Sequence, residues 1–269
     1  MKPIPALATA AVLGAAVLGV AGVSGVAAAD PVAVDVDRMT VPAKQLVIHA
    51  LLEVNLSDQA VGEPISIAPD IWYGATDKLT LGLVHSGHAA GGFFGGVGDG
   101  LCLTGEDKGC AKVYDRAGLL ARYHLHDGPF TVALDGGLLA QSFDPFTVSL
   151  KLGIAARWHR GKVAFDLAPN LWFGLNERDA GNEERIAVPL SITYAVAPRL
   201  ALAAQTGLAA PVQDLSDNLV VPFSVGAQVL ATDSLYFDLA FSLPRLIDQD
   251  DNVDAVDIRT LTLGVGHGF

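Results

Sequence analysis

Apolar and polar residues alternate with a period of two along most of the chain. In residues 46–56, Ile48, Ala50, Leu52, Val54 and Leu56 share one parity, while His49, Leu51, Glu53 and Asn55 share the other. Val148, Leu150, Leu152, Ile154 and Trp158 oppose Ser149, Lys151, Gly153 and Arg157, and Phe237, Leu239, Phe241 and Leu243 oppose Tyr236, Asp238, Ala240 and Ser242. Successive side chains of a strand point to opposite faces, so this period predicts strands with one apolar and one polar or small-residue face. Twelve segments fit: 46–56, 64–74, 79–86, 114–126, 130–140, 147–159, 163–175, 186–196, 200–208, 219–230, 235–243 and 258–269. At about 3.3 Å per residue and a tilt near 40°, their usual length crosses an apolar band of ~25 Å.

The connections alternate in length. Tight turns are expected at Ala75-Thr76-Asp77-Lys78, Asp127-Gly128-Pro129, Arg160-Gly161-Lys162, Ala197-Pro198-Arg199 and Ala231-Thr232-Asp233-Ser234. Longer loops are expected at 57–63, 87–113, 141–146, 176–185, 209–218 and 244–257. An even strand number with both ends on the short-turn side predicts an all-β fold, a transmembrane antiparallel up-and-down β-barrel of about 12 strands. A repeat sets the strand starts: Pro64-Ile65-Ser66-Ile67, Pro189-Leu190-Ser191-Ile192 and Pro222-Phe223-Ser224-Val225, with a looser copy at Pro145-Phe146-Thr147-Val148. Proline lacks a ladder donor and suits a strand's first residues. Pro69 and Pro169 fall inside strands, where bulges are expected.

Composition adds location and excludes several classes. Lys2 is the only charge before Asp30, and an Ala/Val/Leu/Gly-rich stretch ends in Ala27-Ala28-Ala29. That is the pattern of an export signal. It divides the chain into a signal peptide (1–29), a periplasmic segment (30–44) and a barrel (45–269). Lys+Arg total 17 against 29 Asp+Glu, a formal charge of −12, which leaves no basic surface for nucleic acid. Past residue 29, no run approaches the ~20 apolar residues of a spanning helix.

Outward aromatics are expected near the short turns: Tyr73, Tyr123, Phe130, Trp158, Phe165, Tyr194, Phe237 and Phe269. Such a cluster at one depth forms an interfacial girdle. A Phe ending the last alternating strand resembles the recognition signal of bacterial outer-membrane barrels. The resemblance implies hand-over to the barrel-assembly machinery through Phe269 and residence in the outer membrane. The hairpin from Tyr73 to Leu83, with Gly74-Ala75-Thr76-Asp77-Lys78 at its turn, resembles turns in porin-like barrel transporter families, among them the phenol meta-pathway group.

The inward face carries the candidate lumen-lining residues Asp70, Arg116, Arg122, His124, Asp135, Lys151, Arg157, Asp166, Asn170 and Asp238. Arg122 is placed diagonal to Asp135, and Lys151 near Asn170. Opposite charges on adjacent strands either pair structurally or form a polar channel wall. Facing them, Ala187, Ser191, Ala195, Ala201, Ala203, Gly207, Ser224 and Gly226 leave space, and twelve strands stand between filled small barrels and open porins. The longer loops hold 17 acids against five bases. They are read as a solvated acidic rim facing lipopolysaccharide. The stretch Asp248-Gln249-Asp250-Asp251-Asn252 lacks the Gly and closing Glu of a helix-loop-helix calcium site. No metal or cofactor site is expected.

Other chemistry is sparse. There is no Gly-x-Ser-x-Gly elbow and no phosphate loop. Gly91-Gly92-Phe93-Phe94-Gly95-Gly96-Val97-Gly98 is read as a loop that folds into the mouth. Cys102 and Cys110, beyond an export signal, are expected to form a disulfide. The expected function is passive or facilitated diffusion of a small solute, without enzymatic activity. The alternatives are a lipid-modifying hydrolase built on His85-Ser86-Gly87-His88 and a closed structural or adhesive barrel acting through its acidic loops.

Overall fold

A computed structural model describes residues 39–269 except 59, 97, 127, 216–217 and 249–256. The expected signal peptide, the first part of 30–44 and residues 249–252 of the acidic stretch lie outside the described residues. The described residues form one antiparallel sheet closed on itself. Its strands are β1 (Leu46–Asn55), β2 (Ile65–Thr76), β3 (Leu79–Val84), two short strands β4 (Gly100–Cys102) and β5 (Tyr114–Asp115), β6 (Ala117–His126), β7 (Phe130–Phe143) and β8 (Phe146–Arg160). Then come β9 (Val163–Leu167), β10 (Asn170–Gly174), β11 (Arg185–Ala197), β12 (Leu200–Pro211), β13 (Val220–Leu230), β14 (Leu235–Asp248) and β15 (Thr260–Gly268). Neighbours in sequence pair in space, β4 and β5 forming a side branch, and β1 pairs with both β2 and β15. Since β9 and β10 both lie between β8 and β11, they are one barrel strand interrupted once, and the barrel has twelve strands.

The alternation decides the two faces. Leu134, Leu152, Ile154, Leu171, Leu190, Leu202 and Leu263 are exposed on the outside, far more apolar surface than a soluble monomer tolerates in one band. The eight girdle aromatics named above are also exposed. On the other parity Ser66, Asp70, Thr131, Ser149, Lys151, Gln205, Ser224 and Thr262 are buried inside. This is the apolar-out, polar-in plan of a transmembrane barrel, in which closure leaves no unpaired strand edge in lipid.

Three local expectations change. The connection at 141–146 is not a long loop: β7 and β8 extend to a two-residue turn at Asp144-Pro145, with Phe143 opposite Phe146. Pro69 causes no bulge, since β1–β2 register runs unbroken from Leu46–Tyr73 to Val54–Ile65. On its other side β2 passes from β3 to β4 at this point, so no ladder donor is required of Pro69. Pro169 breaks the strand without inserting a residue: Ala156–Leu167 and Gly153–Asn170 keep one register against β8. The carbonyl of Pro169 still accepts from Ile154 N–H at 3.0 Å.

The bonded pair Cys102–Cys110 closes the loop between β4 and β5, with Cα atoms 6.1 Å apart. At the short-turn end, residues 39–44 turn inward. Val41 N–H donates to Thr80 Oγ1 at 2.8 Å, and the Met39 carbonyl accepts from Arg122 at 3.2 Å.

Candidate functional site: a plugged lumen

The segment between β3 and β4 does not stay at the rim. It opens with a one-turn helix, α1 (Gly87–Gly91), whose N-cap Ser86 accepts from Ala89 N–H at 3.0 Å. The Ser86 hydroxyl donates to Asp70 Oδ2 at 2.6 Å, and Asp70 Oδ1 accepts the backbone N–H groups of His85 and Ser86. Asp70 thus fixes the entry of the segment into the barrel. The hydroxyl of Ser86 is fully buried in this cap, and the His85 ring turns to the Pro69 carbonyl. Nothing here arranges Ser86 as a nucleophile with a histidine base.

Inside, the apolar side of α1 is its anchor. Ala90, fully buried, packs with Val84, Leu120, Leu139 and Trp172, and Ala89 and Trp72 flank this cluster. Beyond α1 the backbone crosses the lumen. Gly91 O receives Asn170 Nδ2 at 3.5 Å, Gly92 O receives Gln205 Nε2 at 2.7 Å, and Phe94 N–H donates to Gln205 Oε1 at 2.5 Å. Ser224 Oγ reaches Phe94 O at 3.4 Å, and Gly98 N–H returns to Ser66 Oγ at 3.1 Å. The segment therefore bonds to β2, β10, β12 and β13, around the ring of the barrel. The glycines serve this crossing. Gly95 has φ +80, and a Cβ there would stand 2.5 Å from Ser242 and Thr260 on β14 and β15.

The return leg carries charge. Asp99, counted above among rim acids, is buried instead. Its Oδ2 accepts Gly87 N–H at 2.7 Å and faces Arg116 Nη1 at 3.4 Å. Burial raises the Asp99 carboxyl above its ordinary value, with Arg116 pulling the other way. Arg116 lies just before β6 rather than within a strand, at φ 63. Glu53, on β1, is buried beside this pair and accepts from Ser66 Oγ at 3.1 Å. His88 stacks on Phe94 at 4.7 Å between ring centroids, and burial lowers its imidazole below the usual histidine value.

The other candidate residues fall into local sets. Arg122 stands directly opposite Asp135, not diagonal to it, and binds both its oxygens at 2.6 and 2.8 Å. Arg157 stands opposite Asp166 at 2.5 Å. Lys151 is buried with its ammonium 6.0 Å from the centroid of Trp172, whose indole N–H donates to Asn170 Oδ1. His124 is buried, Nε2 lying 2.6 Å from the His126 carbonyl. Asp238 accepts from Gln228 at 2.7 Å and faces His49 at 2.8 Å.

Between the plug and the short-turn end a cavity of about 330 Å³ remains. Glu53, His88 and Phe94 border one end, Gln228, Tyr236 and Asp238 the other. The small residues Ala201, Ala203 and Gly226 form one wall, as their size allows. Sequence reasoning missed Glu53 and Gln205 as contacts of the plug. The available signal was polarity: both are long polar side chains on the inward parity, Gln205 among the small residues of β12 and Glu53 beside Leu51 on β1.

No protein-family model matches the chain, and no curated protein matches it in sequence. Solved structures do match in fold. NanC porin aligns over 82% of this chain and 98% of its own, with a TM-score of 0.60 at 9% identity. KdgM porin, in a complex with disordered oligogalacturonate, aligns over 83% and 99%, with a TM-score of 0.55 at 8% identity. An outer-membrane channel from Pseudomonas putida aligns over 90% of this chain and all of its own, with a TM-score of 0.55 at 16% identity. The chain has the fold of the porin-type outer-membrane β-barrels.

Proposed function

We propose that the protein is an outer-membrane channel for a small solute, gated by the inward-folded segment 87–100. The observation that carries this reading is the plug itself. Its backbone bonds to wall residues on several strands, foremost Gln205, and it fills a lumen whose far wall is built of small residues. Among the described residues, side-chain hydrogen bonds from β2, β10, β12 and β13 and one small apolar cluster hold it, so its displacement leaves the twelve-strand ladder in place. The carbonyl of Phe269 accepts from Leu46 N–H at 3.3 Å while its exposed ring points outward, in keeping with recognition by the assembly machinery. The acidic outer loops would face lipopolysaccharide. KdgM's oligogalacturonate offers no guide to the solute here, because buried Glu53 and Asp99 oppose a polyanion.

The test is conductance in planar bilayers. The intact barrel should conduct little, in brief openings, and a variant lacking residues 88–98 should conduct steadily. If neither conducts, the barrel is closed and structural, a reading that the Arg122–Asp135 and Arg157–Asp166 pairs would then support.

A further inference from the structure

We propose that the cavity beneath the plug binds a small organic cation, an amine with an apolar body, and that Glu53 receives its ammonium group. This names a solute class for the channel reading.

The case begins with an unpartnered carboxyl oxygen. Glu53 is 1% exposed; Oε2 accepts from Ser66, while Oε1 has no hydrogen-bond partner among the described residues. It borders the cavity. A buried carboxylate oxygen without a donor is costly, and a ligand donor removes that cost. Asp99 stands beside it: a Cβ on Gly96 would lie 2.5 Å from Asp99 Oδ2 and 2.9 Å from Glu53 Oε1. Arg116 contacts Asp99 alone of these two carboxylates. Arg116 serves Asp99, so the unpartnered Glu53 oxygen has a place for an ammonium donor beside it.

The rest of the lining narrows the class. Arg157 is bound to Asp166 on the adjacent strand, and His49 faces Asp238, so neither opposes a cation at Glu53. Thr262 Oγ1, on the cavity wall, and His88 Nδ1 are likewise buried and unpartnered among the described residues. An ammonium brings three donors to such a set. Leu51, Phe94, Leu239 and Ala240 supply apolar lining that fits a hydrocarbon body, while Thr193, Gln228 and Tyr236 keep part of the wall polar. An aromatic face near the charge adds to the preference. A metal ion fits poorly, because among the described residues no three His, Cys, Asp or Glu side chains converge. The volume, about 330 Å³, is at the small end of ligand pockets and admits one small molecule rather than an oligomer.

Three probes sharing one ring separate the charge from the body: benzylamine, benzyl alcohol and benzoate. They are titrated calorimetrically into the full mature barrel in detergent at neutral pH, where the amine is charged. Benzylamine should bind at least roughly tenfold more tightly than the alcohol, and benzoate should not bind. Glu53→Gln should bring the amine to the level of the alcohol, and Ala203→Leu, which fills the cavity without changing charge, should abolish both. Heat-modifiable mobility reports whether each variant still folds. If Glu53→Gln does not fold, the three-probe comparison on the unaltered protein and Ala203→Leu decide. Equal binding of amine and alcohol, tighter binding of benzoate, unchanged amine binding in Glu53→Gln or no binding at all overturns the proposal. Bilayer conductance is measured separately, so the channel reading survives or fails by itself.

Discussion

Gln205 on β12 holds Phe94 of the plug from both sides of its amide: Oε1 accepts the Phe94 N–H at 2.5 Å, and Nε2 donates to the Gly92 carbonyl at 2.7 Å. The two residues are 111 apart in sequence. Each such bond contributes about 0.5–1.5 kcal/mol net. Losing both through Gln205→Ala should raise the population of the released plug by roughly ten- to a hundredfold. Single-channel recordings would show this as more frequent openings of unchanged amplitude, since the wall itself keeps its diameter. Unchanged opening frequency would mean that the α1 cluster alone fixes the plug.

Arg122 and Asp135 predict a different outcome. The pair is bidentate, and Arg122 also donates to the Met39 carbonyl. Removing one partner strands the other charge inside, at a cost of about 3 kcal/mol or more. Asp135→Leu should therefore lower the urea midpoint of the barrel in lipid, and the double replacement Arg122→Met with Asp135→Leu should recover most of the loss. A double variant no better than the single one would place the effect in lost packing.

The strand pattern was legible because the period of two acts residue by residue, and lipid outside with polar groups inside enforces it on every strand. What failed was each feature whose cause lies elsewhere in the chain. Residues 141–146 read as a loop because Gln141, Ser142 and Asp144 are polar, yet the ladder continues wherever two strands find each other, here to Phe143–Phe146. Pro69 escapes a bulge only because β2 changes partners beside it. The Gly-rich 91–98 stretch reads as folding into the mouth, but it has no periodicity to give its contacts, which lie more than a hundred residues away at Gln205 and Ser224. Asp99 reads as a rim acid from its loop, and only the crossing buries it against Arg116. Of the site, the small-residue wall was visible; the plug's seat was not.

His88 and Asp99 make plug docking depend on pH in opposite senses. Burial lowers His88, the nearby His49 acts in the same sense, and Asp70 and Asp238 oppose it. A docked plug therefore refuses a proton that a released His88 accepts near its ordinary value of about 6.5. The His88 contribution to docking is complete above that pH and is lost as pH falls toward the depressed value. Asp99 is raised, so its contribution is complete below its ordinary value of about 3.9 and is lost as pH rises through the raised one. Conductance should increase on acidification from about pH 7 to 5. His88→Phe, which keeps the stack on Phe94, should remove that increase, and Asp99→Asn should enlarge it. A flat profile in the unaltered protein would show that the two effects cancel, and the Asp99→Asn recording would then rise.

The disulfide between Cys102 and Cys110 constrains a short loop, worth roughly 2–3 kcal/mol of local order. Because β4 and β5 form a side branch of the sheet, reduction should expose residues 103–109 to protease without shifting the unfolding midpoint of the barrel. Mass spectrometry after alkylation, with and without prior reduction, reads the bond directly. Alkylation of both thiols without reductant would contradict it.

Ion selectivity follows from where charge remains unpaired. Within the barrel Arg122 and Arg157 are bound to Asp135 and Asp166, and Arg116 to Asp99, so these three bases do not present an open positive wall, and Lys151 is buried against Trp172. The outer loops keep an acidic excess: Asp58 and Asp144 are highly exposed, and their partners Arg259 and Lys112 contact them at 3.8 and 3.2 Å across solvent. Exposed pairs of this kind are weak and leave the long-range field of the rim intact. That field attracts cations over a distance set by the ionic strength, about 30 Å at 0.01 M and 3 Å at 1 M. The released channel should thus prefer cations in dilute salt and lose the preference as salt is added. Reversal potentials across a KCl gradient, measured on the variant lacking residues 88–98, test this without the plug. A cation preference that persists at 1 M would locate selectivity at Glu53 inside the lumen, where screening is weak. Anion preference at any salt would mean that the internal pairs open once the plug is gone.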